Sequence, residues 1–136
     1  MSNIIELNDV YKSFDQGAHH LKILKGINLK ITSAEVVALV GPSGAGKSTL
    51  LHIMGLLDCS DSGDIIISGV STAGLSDIKR TKIRRDEIGF IYQFHNLLPE
   101  FNALDNVVMP QLIAGVSIEK AQKRAKALLN KMMLGS

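Results

Sequence analysis

Gly41-Pro42-Ser43-Gly44-Ala45-Gly46-Lys47-Ser48 fits the pattern G-x-x-x-x-G-K-[ST], in which each residue type has a chemical task. Glycines at 41, 44 and 46 let the backbone curl without Cβ clashes, so that successive N–H groups point inward at phosphate oxygens. The Lys47 ammonium would neutralise β- and γ-phosphates, and the Ser48 hydroxyl would ligate a Mg²⁺ that bridges them. Thr49 would reach an α-phosphate from the first turn of the following helix, whose N-terminal potential also favours anions. Such a loop binds phosphate but does not choose the base or the reaction. Hydrolysis needs more, namely an acidic residue after a hydrophobic strand to hold the metal. Downstream of Ser48 the candidates fail: Asp58 lies at a helix end, Asp64 precedes its strand, and the apolar run 88–92 ends in the amide Gln93. The expectation is half of a catalytic site.

A phosphate loop must be held between a strand and a helix. Val36-Val37-Ala38-Leu39-Val40 runs unbroken into Gly41-Pro42, the pattern of a strand covered on both faces in a parallel sheet. Beyond Ser48, Leu50, Leu51, Met54 and Leu57 repeat at helical spacing, and Asp61-Ser62-Gly63 breaks the pattern before the strand-like Ile65-Ile66-Ile67. Upstream, Ile4, Ile5, Leu7 and Val10, then Ile27, Leu29 and Ile31, alternate as half-buried antiparallel strands do, with a turn at Asp15-Gln16-Gly17. Residues 75–87 read as polar and partly helical, and 88–92 as another buried strand, interrupted by Gly89. From Leu97 onward the texture is helical. There Ile118, Ala121, Ala125, Leu128, Leu129 and Met132 form an apolar stripe behind a Ser117 N-cap, with Lys120, Lys123, Arg124, Lys126 and Lys131 as a solvated face.

Composition excludes several classes. The chain has 136 residues, 15 Lys plus Arg against 13 Asp plus Glu, a formal charge of +2 and 46% hydrophobic residues, which excludes disorder as the main state and suits one soluble domain. The small net charge gives no general reason to expect nucleic acid or an anionic membrane as partner. The longest apolar run, 36–40, is far short of the roughly 20 residues that span a bilayer, and the N-terminus has no basic segment leading into an apolar one, so the chain is expected to stay in the cytoplasm. Cys59 is the only cysteine and reads as a small buried hydrophobe, not as a nucleophile. Lys79, Arg80, Lys82, Arg84 and Arg85 carry no interleaved aromatic and read as a solvated helix face, and His19 and His20 lack a ligand partner at metal spacing.

Lys12-Ser13-Phe14, Leu24-Lys25-Gly26-Ile27-Asn28-Leu29, the glycine loop, and Ile88-Gly89-Phe90-Ile91-Tyr92-Gln93-Phe94-His95-Asn96-Leu97-Leu98-Pro99 follow one another in the order seen in ABC transporter ATPases. The chain resembles that family over essentially its whole length. The stretches 92–101 and 103–110 are most similar to the ATP-binding subunits of lipoprotein-releasing systems, with macrolide-exporter and cell-division ATPases as close neighbours. The resemblance implies an α/β fold: a P-loop NTPase core with a RecA-like parallel sheet (36–61 and 86–93), an N-terminal antiparallel β arm (1–35 and about 62–72), and the start of an α-helical subdomain (94–136).

It also implies roles. Phe14 falls where the family stacks an aromatic on adenine, with Tyr11 as a less favoured substitute and a plain core role as the alternative for Phe14. Gln93 matches the glutamine whose amide approaches Mg²⁺ and the attacking water. Phe94, His95, Leu97, Leu98, Glu100 and Phe101 would help form the groove that receives a membrane permease subunit. Read from the residues alone, Leu97, Leu98 and Phe101 instead pack a junction between core and helices. The implied ligands are ATP and Mg²⁺. The implied partners are a second ATPase subunit and integral membrane permease subunits, with no nucleic acid. The implied location is peripheral, on the cytoplasmic face of the bacterial inner membrane, and the implied task is ATP hydrolysis coupled to lipoprotein release.

The family pattern continues past Ser136 into a signature, a Walker B strand with a catalytic glutamate, and a switch histidine. The chain is therefore expected to be an N-terminal portion, inactive alone. Leu75-Ser76 is followed by Asp77-Ile78 and does not stand in for the signature. A non-hydrolysing nucleotide-binding or interaction module is the competing reading. A GTPase is disfavoured because Asn130-Lys131 is followed by Met132-Met133 and makes no N-K-x-D.

Overall fold

The structure is a computed structural model that describes residues 3–17, 19–94 and 96–134. In chain order its elements are strands β1 (Asn3–Gln16) and β2 (His19–Thr32), helix α1 (Lys47–Met54), strands β3 (Ser62–Ile67) and β4 (Val70–Ser71), and helices α2 (Asp77–Glu87), α3 (Ala103–Ile113) and α4 (Ile118–Lys131). The chain divides into two compact units, Met1–Phe90 and Ile91–Ser136.

The first unit is a four-stranded antiparallel sheet of order β2-β1-β3-β4 packed on α1. Leu7 lies between Leu29 and Ile65, and Ile5 between Ile31 and Ile67, so the period-two alternation of each strand feeds one face. That face supplies Leu7, Val10, Leu24, Ile65 and Ile67 to the core, which α1 and its exit complete with Leu50, Ile53, Met54 and Leu56. The β1–β2 ladder runs well beyond the apolar alternation, to Gln16 and His19, because backbone pairing needs no buried side chain once the hairpin is nucleated.

A bulge interrupts β1. Asp9 takes φ +48, the pairing registers slip between Leu7 and Val10 and between Asn8 and Tyr11, and Asn28 braces the kink by accepting from Asp9 N–H and donating to the Asp9 carboxylate. The extra residue changes which parity faces the core, from Ile5 and Leu7 to Val10. Lys12 and Phe14 share the parity of Val10.

Helix α1 buries Leu50, Ile53 and Met54 and leaves Leu51 and Leu57 exposed, which corrects the expected stripe. The helix stops at Gly55, whose N–H bonds to Leu51 O, and Leu56 then turns back into the core at φ +55. Leu57 is thereby out of helical phase. Residues 36–40 and 88–92 belong to no strand among the described residues, so the parallel ladder expected of them is not formed here. Leu39 and Ile88 of these runs pack on the core and the Phe90 ring lies against Gly55 and His52, while Val36, Val40 and Ile91 are 97%, 90% and 98% exposed. A two-sided strand needs a neighbour on each edge, and the described residues supply none.

Helix α2 buries no residue. Two of its arginines nonetheless do more than face solvent: Arg84 donates to Leu56 O and Arg80 to Asp58 O, capping the exit of α1 with positive charge. Cys59, expected inside, is exposed and accepts from Arg80 through Sγ.

The second unit is an antiparallel helix pair in which Val108 of α3 meets Ala121 and Ala125 of α4, small residues that let the helices approach. Asn102 caps α3 by accepting from Asp105 N–H. Ser117 sits at the N-cap of α4 in extended conformation, but it receives Ala121 N–H on its backbone oxygen, without a side-chain cap bond. No helix among the described residues is long and apolar enough to cross a membrane.

Candidate functional site

The glycine loop leads from the unpaired run 36–40 into α1. Gly44 and Gly46 take φ +80 and +88, conformations that side-chain-bearing residues rarely adopt, and Gly46 forms the N-cap of α1. Gly46 also lies against β2: a Cβ there would come within 2.8 Å of Ile23 Cγ2 and 3.3 Å of Leu24 Cδ2. The absence of a side chain at 46 thus serves both the curl of the loop and the docking of the hairpin onto it.

Lys47 folds back over the loop, donating to Gly41 O at 2.8 Å and Pro42 O at 2.7 Å. Its ammonium therefore lies at the mouth of the curl, where the N-terminus of α1, with no acidic residue in its first turn, adds positive potential. Ser43, Gly44, Gly46, Lys47, Ser48 and Thr49 line a cavity of about 400 Å³ together with Phe14, Leu21 and Ile23 of the hairpin. Phe14 and Leu21 are direct cross-strand partners and both are exposed, so they offer an apolar platform open to solvent.

The lining thus combines backbone and the Lys47 ammonium of the loop with an aromatic ring and two aliphatic side chains of the hairpin. It suits a molecule with a polyanionic tail and a flat ring. Tyr11, the alternative aromatic, is not among the cavity residues; its ring lies over Gly26, where a Cβ would stand 2.8 Å from its hydroxyl.

The remaining candidates fall in the second unit. Gln93 and Phe94 are exposed, as are Leu97, Leu98, Glu100 and Phe101. His95 lies outside the described residues. One residue that sequence reasoning did not single out organises this segment. Asn106 donates through Nδ2 to Leu98 O, Phe101 O and Asn102 O and accepts from Leu98 N–H, so its amide fixes the course of 98–102 before α3 begins. A polar residue one turn into a helix behind an Asn cap is the only sequence signal for that role.

A β hairpin docked on a glycine loop that opens a helix is an α/β module of the phosphate-loop kind. The sequence family described as ABC transporter matches residues 24–136, and the chain belongs to that family. It is 54% identical over its full length to the lipoprotein-releasing system ATP-binding protein LolD of Roseobacter denitrificans, covering 61% of that protein. It is 52% identical to the LolD of Paramagnetospirillum magneticum, with 96% of this chain and 58% of that protein covered. Among solved structures it resembles the ATP-binding cassette MJ0796 in a dimeric post-hydrolysis state bound to ADP and phosphate, at TM-score 0.85 and 41% identity over 93% of this chain and 56% of that one. The chain thus spans less than two thirds of the length of these relatives.

Proposed function

We propose that the chain forms the nucleotide-holding portion of an ABC transporter ATP-binding subunit, in which the glycine loop and Lys47 hold the phosphates of ATP and Phe14 stacks on its base. The observation that carries this reading is the single cavity joining the Lys47 loop to the Phe14 platform. Ser48, beside Lys47 in the wall of that cavity, is the residue to present a hydroxyl to Mg²⁺. That ion, when bound, would neutralise charge between the β- and γ-phosphates. Gln93 is the residue to bring an amide toward the metal and water.

The parent subunit then hydrolyses ATP as a homodimer at the cytoplasmic face of the inner membrane. It is coupled to permease subunits through the segment 94–101 and works in lipoprotein release. The likeness to LolD proteins supports the substrate, and the exposed apolar side chains of Phe94, Leu97, Leu98 and Phe101 support the docking role.

The experiment is a titration of the 136-residue chain with a fluorescent ATP analogue and Mg²⁺, with Lys47→Ala alongside. Saturable binding that is lost in the variant is the expected outcome. Equal binding by both proteins removes the assignment of the phosphate site. For the wider role, co-purification of the parent subunit with its permease should fail for Leu97→Asp/Phe101→Asp, and retention of the complex would reject the docking segment.

A further inference from the structure

We propose that Lys12 is a positioning residue for the nucleobase, holding the ring of Phe14 at a fixed distance from the phosphate loop. The inference rests on the ATP site proposed above and adds a residue to it that touches neither phosphate nor base. The Lys12 side chain is 11% exposed, low for a lysine on a strand near the tip of a hairpin. Its ammonium donates to Cys59 O at 2.7 Å and Asp58 Oδ1 at 3.0 Å, and it stands 3.9 Å from Asp61 Oδ1. The same ammonium lies 5.0 Å from the centroid of the Phe14 ring, within cation–π range.

Those oxygens belong to the segment that leaves α1, the helix whose N-terminus is the phosphate loop. Lys12 therefore ties the aromatic platform, across 46 residues of sequence, to the far end of the helix that holds the phosphates. Neighbouring bonds stiffen the same junction. Asp61 N–H donates to Tyr11 O, and the Asp61 carboxylate accepts from both the N–H and the hydroxyl of Ser13.

A long side chain held by several oxygens loses little further entropy when the ring settles against it, so the cation can fix the ring without being displaced. With the ammonium attracted to one side of the ring, the opposite face is the one presented to a base. Between Val10 and Phe14 the β1–β2 pairing slips twice more, between Val10 and Tyr11 and between Lys12 and Ser13, and across these irregularities the Lys12 ammonium still lies over the Phe14 ring.

The test is a double-mutant cycle on ATP affinity in the 136-residue chain, with inorganic tripolyphosphate as competitor. Lys12→Met should weaken ATP about five- to tenfold and leave tripolyphosphate within twofold. In a Phe14→Ala background the same substitution should have no further effect on ATP. Lys12→Arg, which keeps a cation over the ring, should restore most of the affinity. Equal losses on ATP and tripolyphosphate, or full loss from Lys12→Met on top of Phe14→Ala, would make Lys12 a structural residue and overturn the proposal. An unchanged ATP affinity in Lys12→Met would overturn it too. Failure of the wild-type chain to bind ATP, or undiminished binding in Lys47→Ala, would instead remove the phosphate site on which the proposal rests.

Discussion

Phe14 is 44% exposed in the lining of the cavity, a costly place for an aromatic ring unless a ligand covers it. Base stacking contributes about 1–3 kcal/mol, so Phe14→Ala should weaken ATP by about tenfold or more while leaving tripolyphosphate unaffected, as competition binding would read. Asp61 carries a separate consequence for pH. Its carboxyl is held below the ordinary aspartate range, chiefly by the hydroxyl of Ser13, with the Ser13 N–H and the Lys12 charge adding to the effect. A depressed folded-state value means that the stabilisation is fully present above the unfolded value of about 4 and fades as pH falls through the lower folded one. Denaturation midpoints should therefore be insensitive to this group from pH 8 to 5 and decline below about 4, with a shallower decline in Asp61→Asn. A variant with the wild-type acid slope would show that the tie to Ser13 contributes nothing.

The elements depend on a few backbone positions more than on their apolar pattern. Gly63 opens β3 at φ +86 beneath the bulge, and a Cβ there would fall within 2.6 Å of Asn8 O and closer still to Asp9 O. Both the forced φ and the backbone clash oppose any side chain, so Gly63→Ala should destabilise the first unit by on the order of 3 kcal/mol, measured by urea unfolding. Asn102→Ala removes the cap of α3, and about 1 kcal/mol of helix stability should go with it. The loss should show as faster amide exchange in the first turn of α3. These positions also mark where the sequence was readable. Strands around Leu7, Leu29 and Ile65 and the α1 start at Lys47 followed from period and motif, because local preference and burial agree there, whereas α3 shows only a general helical texture in sequence, and α4 buries Ala121 and Ala125 but leaves Ile118, Leu128 and Met132 of its expected stripe exposed. The glycine loop was legible for the same reason that it works, since few other residues fit its backbone. The bulge was not legible, because Asn8-Asp9 reads as an ordinary polar pair. Nor was the inward Lys12, whose place depends on oxygens 46 and more residues away. The runs 36–40 and 88–92 have strand character in composition, but a ladder is a property of two segments, and no neighbour among the described residues completes it.

For the whole molecule, the unpaired run 36–40 is the feature that most shapes behaviour in solution. Glu35 ends the turn after β2 by accepting from Thr32 N–H and hydroxyl, and the chain then passes through Val36, Val37 and Val40 with these side chains open to water and only Leu39 turned to the core. β-branched residues outside a ladder present backbone groups together with apolar surface, the combination that recruits another strand. The nearest available source in a purified sample is a second copy of the same segment. We therefore expect the 136-residue chain to associate as concentration rises, with mass by light scattering growing beyond the 14.7 kDa of one chain. Val36→Lys/Val40→Lys places charge where edge strands of natural proteins carry it and leaves Leu39 in the core, so it should hold the chain at monomer mass without lowering its denaturation midpoint. If the doubly substituted chain associates as the parent does, the contact lies elsewhere, and the exposed apolar side chains of the second unit, from Ile91 to Phe101, become the surface to substitute next. A clean monomer mass for the unsubstituted chain across the concentration range would instead count against association through 36–40.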